Sequence, residues 1–416
     1  MNQQPSNVSR RQFLGGTLAA TAAGTLLSAI SSRAAEEKPA TPAPEIKRKI
    51  KVGVVGLGGR GHWIAGLFRQ HGGFEMHAVA DYFPSVADGN GNALDVDPVR
   101  RFSGLSGYTK VIESGVEAIV IIDVPYFYPE QAKAAVEAGL HVYMAKPVAV
   151  DVPGALSIGE SGKLATQKQR VFLVDYQIPT EPVNIEVAQR IRDGGLGKLA
   201  QVQTIGFQNP GFADPPQSAT IVDRLHNLIW CHDIALGGGY INNYDIHAID
   251  AALWVIGQRP VAAMGSSRIC RPNPHGNAHD VTSVVYEYAD GLVHNHFGQS
   301  LNNNNNNALL AAFHGPAANA QLTYWGKAFL RGGPKHYGGG QVENTLYQAG
   351  AQRNIATFYK SITEGQFDNL TVPRAVDGVL TCVLGREAAA RHGKLTMEEL
   401  LKENKKLEVD LKGLKA

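Results

Sequence analysis

The sequence has few of the features that mark a specialised class of protein. Only three of its 416 residues are cysteine, and Cys231, Cys270 and Cys382 lie far apart, which excludes a disulfide framework and gives no metal-type spacing. The charge is balanced, with 39 basic and 37 acidic side chains, so we expect neither nucleic acid nor an anionic membrane as a partner. The 44% hydrophobic content is that of a chain with large cores, long enough for about two or three domains.

Two further absences narrow the chemistry. No G-x-S-x-G motif or cysteine–histidine pattern indicates hydrolysis by a nucleophile. The histidine pairs His275 with His279 and His294 with His296 have no third ligand at an informative spacing. We therefore predict no metal site.

The N-terminal segment lacks a convincing membrane span, because its apolar stretch from Phe13 to Ile30 is too short and too weakly hydrophobic. Arg10 and Arg11 precede that stretch, and this arrangement resembles a twin-arginine export signal. Such signals carry folded proteins, so a cofactor loaded in the cytoplasm travels with its enzyme. We predict a signal peptide over residues 1–35, a proline-rich linker over 36–48, and a periplasmic or other extracytoplasmic location without membrane attachment after cleavage.

Residues 52–68, VGVVGLGGRGHWIAGLF, pass from a β-branched run through glycines into a segment with helical spacing. The glycines form a G-x-G-x-x-G, in which the first permits a tight turn, the second lets the backbone approach a pyrophosphate, and the third lets helix and strand pack closely. The amides of the helix N-terminus then face the phosphates. The predicted dinucleotide-binding residues of this turn are Gly56, Gly58, Gly59, Arg60 and Gly61.

A second strand pattern, FEMHAVAD, ends in Asp81, 25 residues after Gly56. An acidic residue at that position accepts hydrogen bonds from the adenosine ribose, which favours NAD over NADP. Tyr82 follows rather than an arginine, in agreement with NAD, and NADP stays the alternative cofactor. The competing interpretation is that Asp81 only caps the end of a strand.

Further strand patterns at 118–125 and 141–147 enclose a predicted helix at 129–140. Strands alternating with helices predict an α/β fold with a mostly parallel sheet, here a Rossmann dinucleotide-binding domain over residues 49–171. After Val171 the pattern changes, and VTSVVYEYADGLVHNHFGQS alternates around a turn, which predicts a hairpin. Residues 172–416 are therefore predicted to form an α/β domain with a mostly antiparallel sheet.

The glycine turn, Asp81, DVPYFYP, PEQAKAAVEAGLHVY and Lys146–Pro147 together resemble the Gfo/Idh/MocA family of glucose–fructose oxidoreductases and inositol dehydrogenases. The similarity continues through VDYQIP, RIRDGGLGKLAQVQTI and GGGYINNYDIHAIDAALWVIG. It implies a Rossmann domain joined to an α/β domain with a large open sheet, with the nicotinamide in the cleft between them. It also implies a carbohydrate substrate and a homo-oligomer, a dimer or a tetramer, paired through the open face of that sheet.

The resemblance places Lys146 and His247 beside the nicotinamide, where they handle protons and orient the substrate. The competing interpretations are an exposed loop lysine for Lys146 and a core histidine for His247. Oxidation of a carbinol needs a group that takes the hydroxyl proton, and lysine can do so only with a lowered pKa. The family commonly has a glutamate before the lysine and an aspartate four residues before the histidine, whereas this chain has Ala145 and Asn243. We predict Asn243 to hydrogen-bond substrate without charge, and Asp245 to take over the ion-pairing role.

The remaining site predictions have competing structural interpretations. Tyr126, Tyr128 and Gln177 are predicted to contact the cofactor, and aromatic packing is an equal explanation for both tyrosines. Tyr176, Arg224, His226 and Trp230 are predicted at the substrate, where a tryptophan stacks on the apolar face of a sugar or belongs to the core.

Three functions stay open from the sequence. The first is an exported nicotinamide-dependent dehydrogenase that acts on a sugar, glycoside or cyclic polyol and keeps its cofactor tightly bound. The second is an NAD-dependent glycoside hydrolase that oxidises a sugar carbon transiently, eliminates the aglycone and returns the hydride. The third is a non-catalytic sugar-binding relative, which Ala145 and Asn243 favour and the retained Lys146 and His247 oppose.

Overall fold

Two β-sheets organise the part of the chain that can be described. The computed structural model describes residues 45–211, 214, 219–226 and 228–416, so the predicted signal peptide and most of the predicted linker lie outside it. No helix in these residues is both long and apolar enough to cross a membrane.

The first sheet has six strands, all parallel, in the order β3-β2-β1-β4-β5-β6. Every residue of its last three strands is buried, as expected for a parallel sheet covered on both faces. The strands are β1 (Ile50–Val55), β2 (Phe74–Asp81), β3 (Arg101–Ser103), β4 (Ala118–Ile121), β5 (His141–Ala145) and β6 (Phe172–Asp175), and the helices are α1 (Gly59–His71), α2 (Pro84–Ala93), α3 (Gly107–Glu113), α4 (Tyr128–Glu137) and α5 (Val152–Gln167).

This strand order is that of a dinucleotide-binding Rossmann fold, in which ligands bind beyond the carboxyl ends of the strands. The predicted α/β fold with a parallel sheet is confirmed. Its sixth strand begins at Phe172, just beyond the boundary predicted at residue 171.

The second sheet has nine strands in the order β14-β13-β12-β11-β7-β10-β9-β8-β15. It is antiparallel except for the β7–β10 pair, which confirms the predicted large, mostly antiparallel sheet. Its strands are β7 (Gln201–Gln208), β8 (Ala262–Arg268), β9 (Val281–Glu287), β10 (Val293–Ser300), β11 (Ala308–His314), β12 (Ala318–Thr323), β13 (Lys327–Gly332), β14 (Tyr337–Gln341) and β15 (Leu395–Thr396).

Helices pack on one face of this second sheet. Three of them, α6 (Pro182–Arg192), α9 (Ile246–Ile256) and α11 (Thr371–Arg391), contact its strands. In its central strands, buried residues alternate with residues that are partly or largely exposed, so the opposite face is accessible to solvent. The other helices are α7 (Ile221–Arg224), α8 (Ile234–Gly237), α10 (Leu346–Glu364) and α12 (Met397–Glu403), and a π-helical segment at Ile241–Asp245 leads directly into α9.

Candidate active site

A cleft of about 790 Å³ lies beyond the carboxyl ends of the parallel strands. Its wall combines the glycine turn after β1, Asp81 at the end of β2 and Lys146 after β5 with residues of the π-helical segment and of the loop after β12. The cleft therefore brings together Gly56 and Tyr324, which lie 268 residues apart in the chain.

The glycine turn can form only without side chains at two of its positions. Gly56 has φ +80°, and a Cβ there would lie 2.5 Å from the carbonyl oxygen of Ile122, so both conformation and space require glycine. A Cβ on Gly61 would overlap the carbonyl oxygen of Gly56. The first and third glycines therefore let α1 start close against β1 and β4, as the motif predicts.

The intervening glycines face open space. A Cβ on Gly58 or Gly59 would meet no atom within 4 Å, and both residues line the cleft. Gly58 caps α1 without a side-chain hydrogen bond, so the first amides of this 13-residue helix are available to a ligand. The turn therefore fits a pyrophosphate that approaches the backbone closely.

Asp81 connects the glycine turn to the segment that follows β2. Its carboxylate accepts hydrogen bonds from the backbone amides of Leu57 at 2.8 Å and Phe83 at 3.0 Å, while the residue still lines the cleft. Burial raises its pKa, although these backbone bonds and the nearby His226 oppose that effect. Each carboxylate oxygen keeps a free lone pair, so Asp81 both caps the turn and can accept from a ribose hydroxyl.

Arg60, predicted to bind the cofactor, points its guanidinium at the inner wall of the cleft. It forms an ion pair with the buried Asp175 and donates to the hydroxyl of Tyr347 on α10. Its Cζ lies 5.0 Å from the centre of the Tyr347 ring, which stacks on Trp63. Arg60 lines the cleft, but its guanidinium connects the glycine turn to β6 and α10. This role differs from that of an arginine that is free to bind a phosphate.

Lys146 lies where β5 ends, before a cis peptide bond to Pro147. Its side chain is partly buried, lines the cleft and donates from Nζ to the main-chain oxygen of Asn243, 97 residues later. Burial and, to a smaller extent, the positive charge of Arg60 lower the pKa of Lys146 to about 7. A large fraction of this amine is therefore neutral near pH 7, as a proton acceptor requires.

Asn243 and His247 line the same cleft as Lys146, so three of the four predicted catalytic residues come together. His247 is 7% exposed and packs edge-on against Tyr324, with ring centres 5.3 Å apart. Burial lowers its pKa well below the ordinary range, helped by Lys146 and Arg60, so the imidazole is neutral. Its buried Nδ1 has no hydrogen-bond partner among the described residues.

Asp245, the fourth predicted catalytic residue, does not reach the cleft. It is 1% exposed and turns toward the nine-stranded sheet, where its Oδ2 accepts from Nε2 of His296 at 3.0 Å. Because the chain rotates by about 100° per residue, a side chain two residues from Asn243 points to a different side of the segment. This geometry does not suit the ion-pairing role with substrate predicted for Asp245.

The other predicted contact residues divide into two groups. Tyr128, His226 and Trp230 line the cleft, and His226 stacks on Phe83 with ring centres 3.8 Å apart. The residues that do not line it are Tyr126, Arg224, Tyr176 and Gln177; Tyr176 and Gln177 are buried, and Arg224 pairs with Asp233 beside a separate, smaller cavity.

Several cleft residues were missed from the sequence. Asp123 follows β4, and burial raises its pKa to about 6, while Gln131 donates to its carboxylate at 2.7 Å. Its position after a parallel strand was a usable signal. No local pattern identified the residues contributed by the π-helical segment and by the loops beside the second sheet: Asn209, Tyr244, Asn307, Tyr324 and Trp325. Asn307 closes the asparagine run at residues 302–307, whose composition by itself indicates a solvated loop without chemistry.

Family models match two parts of the chain. Residues 185–315 match the GFO/IDH/MocA C-terminal domain, and residues 7–26 match a twin-arginine translocation pathway signal sequence. The predicted export by that pathway is thereby confirmed.

Individual relatives are distant. The chain is 23% identical to an inositol 2-dehydrogenase of Rhizobium meliloti over 244 residues, 58% of this chain and 66% of the relative. It is 26% identical to a glycosyl hydrolase family 109 protein of Shewanella pealeana over 206 residues, 46% of this chain and 44% of the relative. The chain thus spans about half to two thirds of the length of the curated relatives it matches.

The fold is also that of a solved inositol dehydrogenase homolog from Azotobacter vinelandii, complexed with NADH and myo-inositol. The TM-score is 0.67 at 17% identity, with 85% of this chain and 99% of the other covered.

Proposed function

From the match of residues 185–315 to the GFO/IDH/MocA C-terminal domain and of residues 7–26 to a twin-arginine signal sequence, we propose that the chain is an exported, NAD-dependent oxidoreductase that oxidises a carbohydrate hydroxyl. The observation that carries the proposal is that the glycine turn and the amine of Lys146 line one cleft. A cradle for the dinucleotide and a proton acceptor are the two parts that removal of hydride from an alcohol needs.

The cofactor fit is supported by the open space at Gly58 and Gly59 and by the carboxylate of Asp81 at the end of β2. When bound, the nicotinamide supplies the hydride acceptor. Asp81 favours NAD, and NADP is the alternative cofactor. Tight retention is proposed because a cofactor loaded before export is not replaced from the medium.

Lys146 is proposed to take the hydroxyl proton of the substrate. The neutral amine has a lone pair, and the Asn243 carbonyl oxygen orients Nζ by accepting one of its N–H groups. After proton transfer, the same carbonyl stabilises the ammonium. No carboxylate side chain pairs with Nζ among the described residues, so the low pKa that burial and Arg60 impose is preserved.

His247 is proposed to orient the substrate. As a neutral imidazole it offers one donor and one acceptor nitrogen, and the rings of Tyr176 and Tyr324 fix its plane. The Asn243 side chain, which also lines the cleft, is proposed to bind a second hydroxyl. Neighbouring hydroxyls are what a sugar or cyclic polyol presents.

The rest of the cleft also suits a carbohydrate. Trp230 and Trp325 offer aromatic faces for the C–H surface of a sugar ring, and Asn209 and Asn307 offer amides for its hydroxyls. After export the protein is proposed to work in the periplasm or an equivalent extracytoplasmic space.

The direct test is to purify the full-length protein, release its dinucleotide by denaturation and identify it by mass. Sugars, glycosides and polyols are then screened for reduction of the bound nicotinamide by absorbance and fluorescence. We expect NAD to be present and to be reduced by at least one of them. A protein that binds no dinucleotide would contradict the proposal and would favour the non-catalytic sugar-binding alternative.

A second candidate, an NAD-dependent glycoside hydrolase, has one specific observation in its favour, the similarity to a family 109 glycosyl hydrolase. Both functions use the same cradle and the same lysine. They differ in the balance of the reaction: a hydrolase would cleave a chromogenic glycoside with no net change in nicotinamide absorbance, whereas a dehydrogenase would leave the nicotinamide reduced.

The open face of the nine-stranded sheet is proposed to pair with a second copy of the chain. Phe297 and Met264 are each 45% exposed on this sheet, and Val293 is 40% exposed, which is unusual for large apolar side chains in solution. We expect light scattering to give the mass of a dimer or tetramer, and Phe297→Lys to lower it. A monomeric wild-type protein would reject this part of the proposal.

A further inference from the structure

The carboxylate of Asp245 occupies a socket in the nine-stranded sheet. Gly206 on β7 and Gly298 on β10 are paired directly across the two parallel strands. A Cβ on Gly206 would overlap Oδ1 of Asp245, and a Cβ on Gly298 would overlap Oδ2. Neither glycine has a positive φ, so the demand for glycine at both positions comes from the space that the carboxylate occupies.

A chain of hydrogen bonds leads through the sheet to this carboxylate. His296 Nε2 lies 3.0 Å from Asp245 Oδ2, and His296 Nδ1 lies 3.0 Å from Thr204 Oγ1. Thr204 Oγ1 in turn lies 2.7 Å from His294 Nε2, whose Nδ1 lies 3.3 Å from the hydroxyl of Tyr288. All five residues are buried.

Donor and acceptor capacity fixes the direction of this chain. Burial raises the pKa of Asp245, and its hydrogen bond with His296 opposes that effect. With Asp245 as the carboxylate, Nε2 of His296 donates to Oδ2, and Nδ1 of the same ring accepts from the Thr204 hydroxyl. Thr204 then accepts from Nε2 of His294, and His294 accepts from Tyr288. Burial lowers the pKa of His294 to about 3, which agrees with a neutral ring. Every dipole therefore points at one buried negative charge.

The socket also anchors the segment that holds Lys146. In the π-helical segment Ile241–Asp245, the side chain of Asn242 donates to the carbonyl of Ala149 at 2.9 Å, and the hydroxyl of Tyr244 donates to the carbonyl of Phe207 at 3.2 Å. With Asp245 in its socket, three of the five residues are tied to neighbouring elements. Asn243, between two of these anchors, turns its carbonyl to Nζ of Lys146.

We propose that Asp245 is a positioning residue for the reaction: its side chain, seated between Gly206 and Gly298, holds the π-helical segment in register, so that the carbonyl oxygen of Asn243 stays on Nζ of Lys146. The assignment rests on the proposed role of Lys146, but its central quantity, the pKa of that amine, can be measured without any substrate.

Some groups around Lys146 lower its pKa and others raise it. Burial and Arg60 lower its pKa, whereas Asp175, Cys231 and Cys382 raise it, and His247 is held neutral. Burial raises the pKa of Asp245, whereas its hydrogen bond with His296 and the attraction of Lys146 oppose that effect. Loosening the Asn243 carbonyl destabilises the ammonium and therefore lowers the pKa of Lys146.

The test is competitive labelling of the full-length protein with acetic anhydride over a series of pH values, with acetylation of the Lys146 peptide measured by mass spectrometry. Asp245→Asn and Gly298→Ala, which fills the socket, are each expected to lower the Lys146 pKa by roughly half a unit or more. The pH at which kcat/KM is half-maximal should move with it.

Matched controls separate this role from a loss of stability. Asp250 is a fully buried carboxylate on α9 that pairs with Arg374 at 2.7 Å, and Gly338 is a strand glycine in the same sheet with no atom within 4 Å of an added Cβ. Asp250→Asn and Gly338→Ala should leave the Lys146 pKa unchanged, whatever their melting temperatures.

An unchanged labelling pKa in folded Asp245→Asn would overturn the assignment, even if activity fell. If that variant does not fold, Thr204→Val interrupts the chain away from the site, and Tyr288→Phe removes its last donor. Both should shift the pKa in the same direction by a smaller amount, and no shift in either would also overturn it. A protein without redox activity but with the expected pKa shifts would reject the proposed function and retain the positioning role.

Discussion

The glycine turn and the lysine site share one cleft, but they are built in opposite ways. The turn is a continuous stretch of chain. Gly56 and Gly61 lie five residues apart in it, and close backbone atoms leave no room for a side chain at either position. The lysine site joins Lys146 to Asn243 across 97 residues, through a main-chain oxygen. A local structure of this kind has a sequence motif, whereas the surroundings of the lysine depend on how the two sheets meet.

The difference extends to what each part tolerates. A Cβ added at Gly56 or Gly61 would overlap backbone atoms, which cannot move aside. A substitution in the turn therefore impairs folding or cofactor binding. The lysine site depends on the balance between burial, Arg60 and nearby negative charge. Its failure is a change of proton affinity in a protein that still folds.

The largest effect is expected for Lys146→Ala. Loss of the proton acceptor should lower kcat roughly 10²–10⁴-fold, while the dinucleotide stays bound because the glycine turn is unchanged. Turnover on the best sugar and the dinucleotide content of the purified protein are the two measurements. Near-normal turnover would show that Lys146 is not the proton acceptor, and the contrast between the glycine turn and the lysine site would no longer hold.

A smaller effect, on the other side of the comparison, is expected for Gly61→Ala. The added Cβ overlaps the Gly56 carbonyl oxygen, and overpacking of this kind costs about 1–3 kcal/mol of unfolding free energy. Denaturant unfolding should show this loss, together with a lower dinucleotide content.

Gly66→Ala is the matched control for that substitution, since it lies in the same helix with no atom within 4 Å of the new Cβ. It should be at least as stable as the wild type, because alanine favours helix. Equal stability of the Gly61 and Gly66 variants would contradict the close packing of α1 on the turn.

His247→Ala should lower kcat/KM about 10- to 100-fold, mostly through a higher KM, because a hydrogen bond to a substrate hydroxyl is lost. Steady-state kinetics on the best sugar, with the bound dinucleotide measured in parallel, test this. Unchanged saturation curves would make His247 a core residue, the alternative to a substrate-orienting role.

The smallest effect is a displacement along the pH axis. Because neutral Lys146 is the active form and its pKa is about 7, kcat/KM should rise as the pH increases through about 7. Asn243→Asp places a carboxylate near the amine, favours the ammonium and should move this limb to higher pH by roughly one unit. Asn243→Ala keeps the main-chain acceptor and adds no charge, so it is the control. If kcat/KM rose over the same pH range in both variants, the assignment of Lys146 as the titrating group would be contradicted.

Much of the fold could be predicted from the sequence because its signals are local. The strand before Gly56, the helix after it and Asp81 at the end of β2 are all where the pattern placed them. The change from alternating strands and helices to hairpins gave the second sheet. Lys146, Asn243 and His247 were placed together through the family resemblance, and all three line the cleft.

The remaining site predictions failed where direction mattered. Asp245 and Asn243 are two residues apart and face opposite structures, because the π-helical segment turns one to the glycine socket and the other to the cleft. Gln177 lies at the end of the correct strand, but Asp175 and Tyr324 hold its amide behind the cleft wall. Trp325 and Asn307 belong to the site only because the nine-stranded sheet brings their loops there.

By itself the sequence determined the secondary structure around the glycine turn, the alternation of strands and helices that follows it and the export signal, because each depends on neighbours within a few tens of residues. Only the tertiary structure decided which side chains share the cleft, that Asp245 is seated in the sheet, and that Lys146 is paired with a carbonyl rather than with a carboxylate. Burial and electrostatic environment are sums over residues distant in sequence, and they exist only once the two sheets have packed.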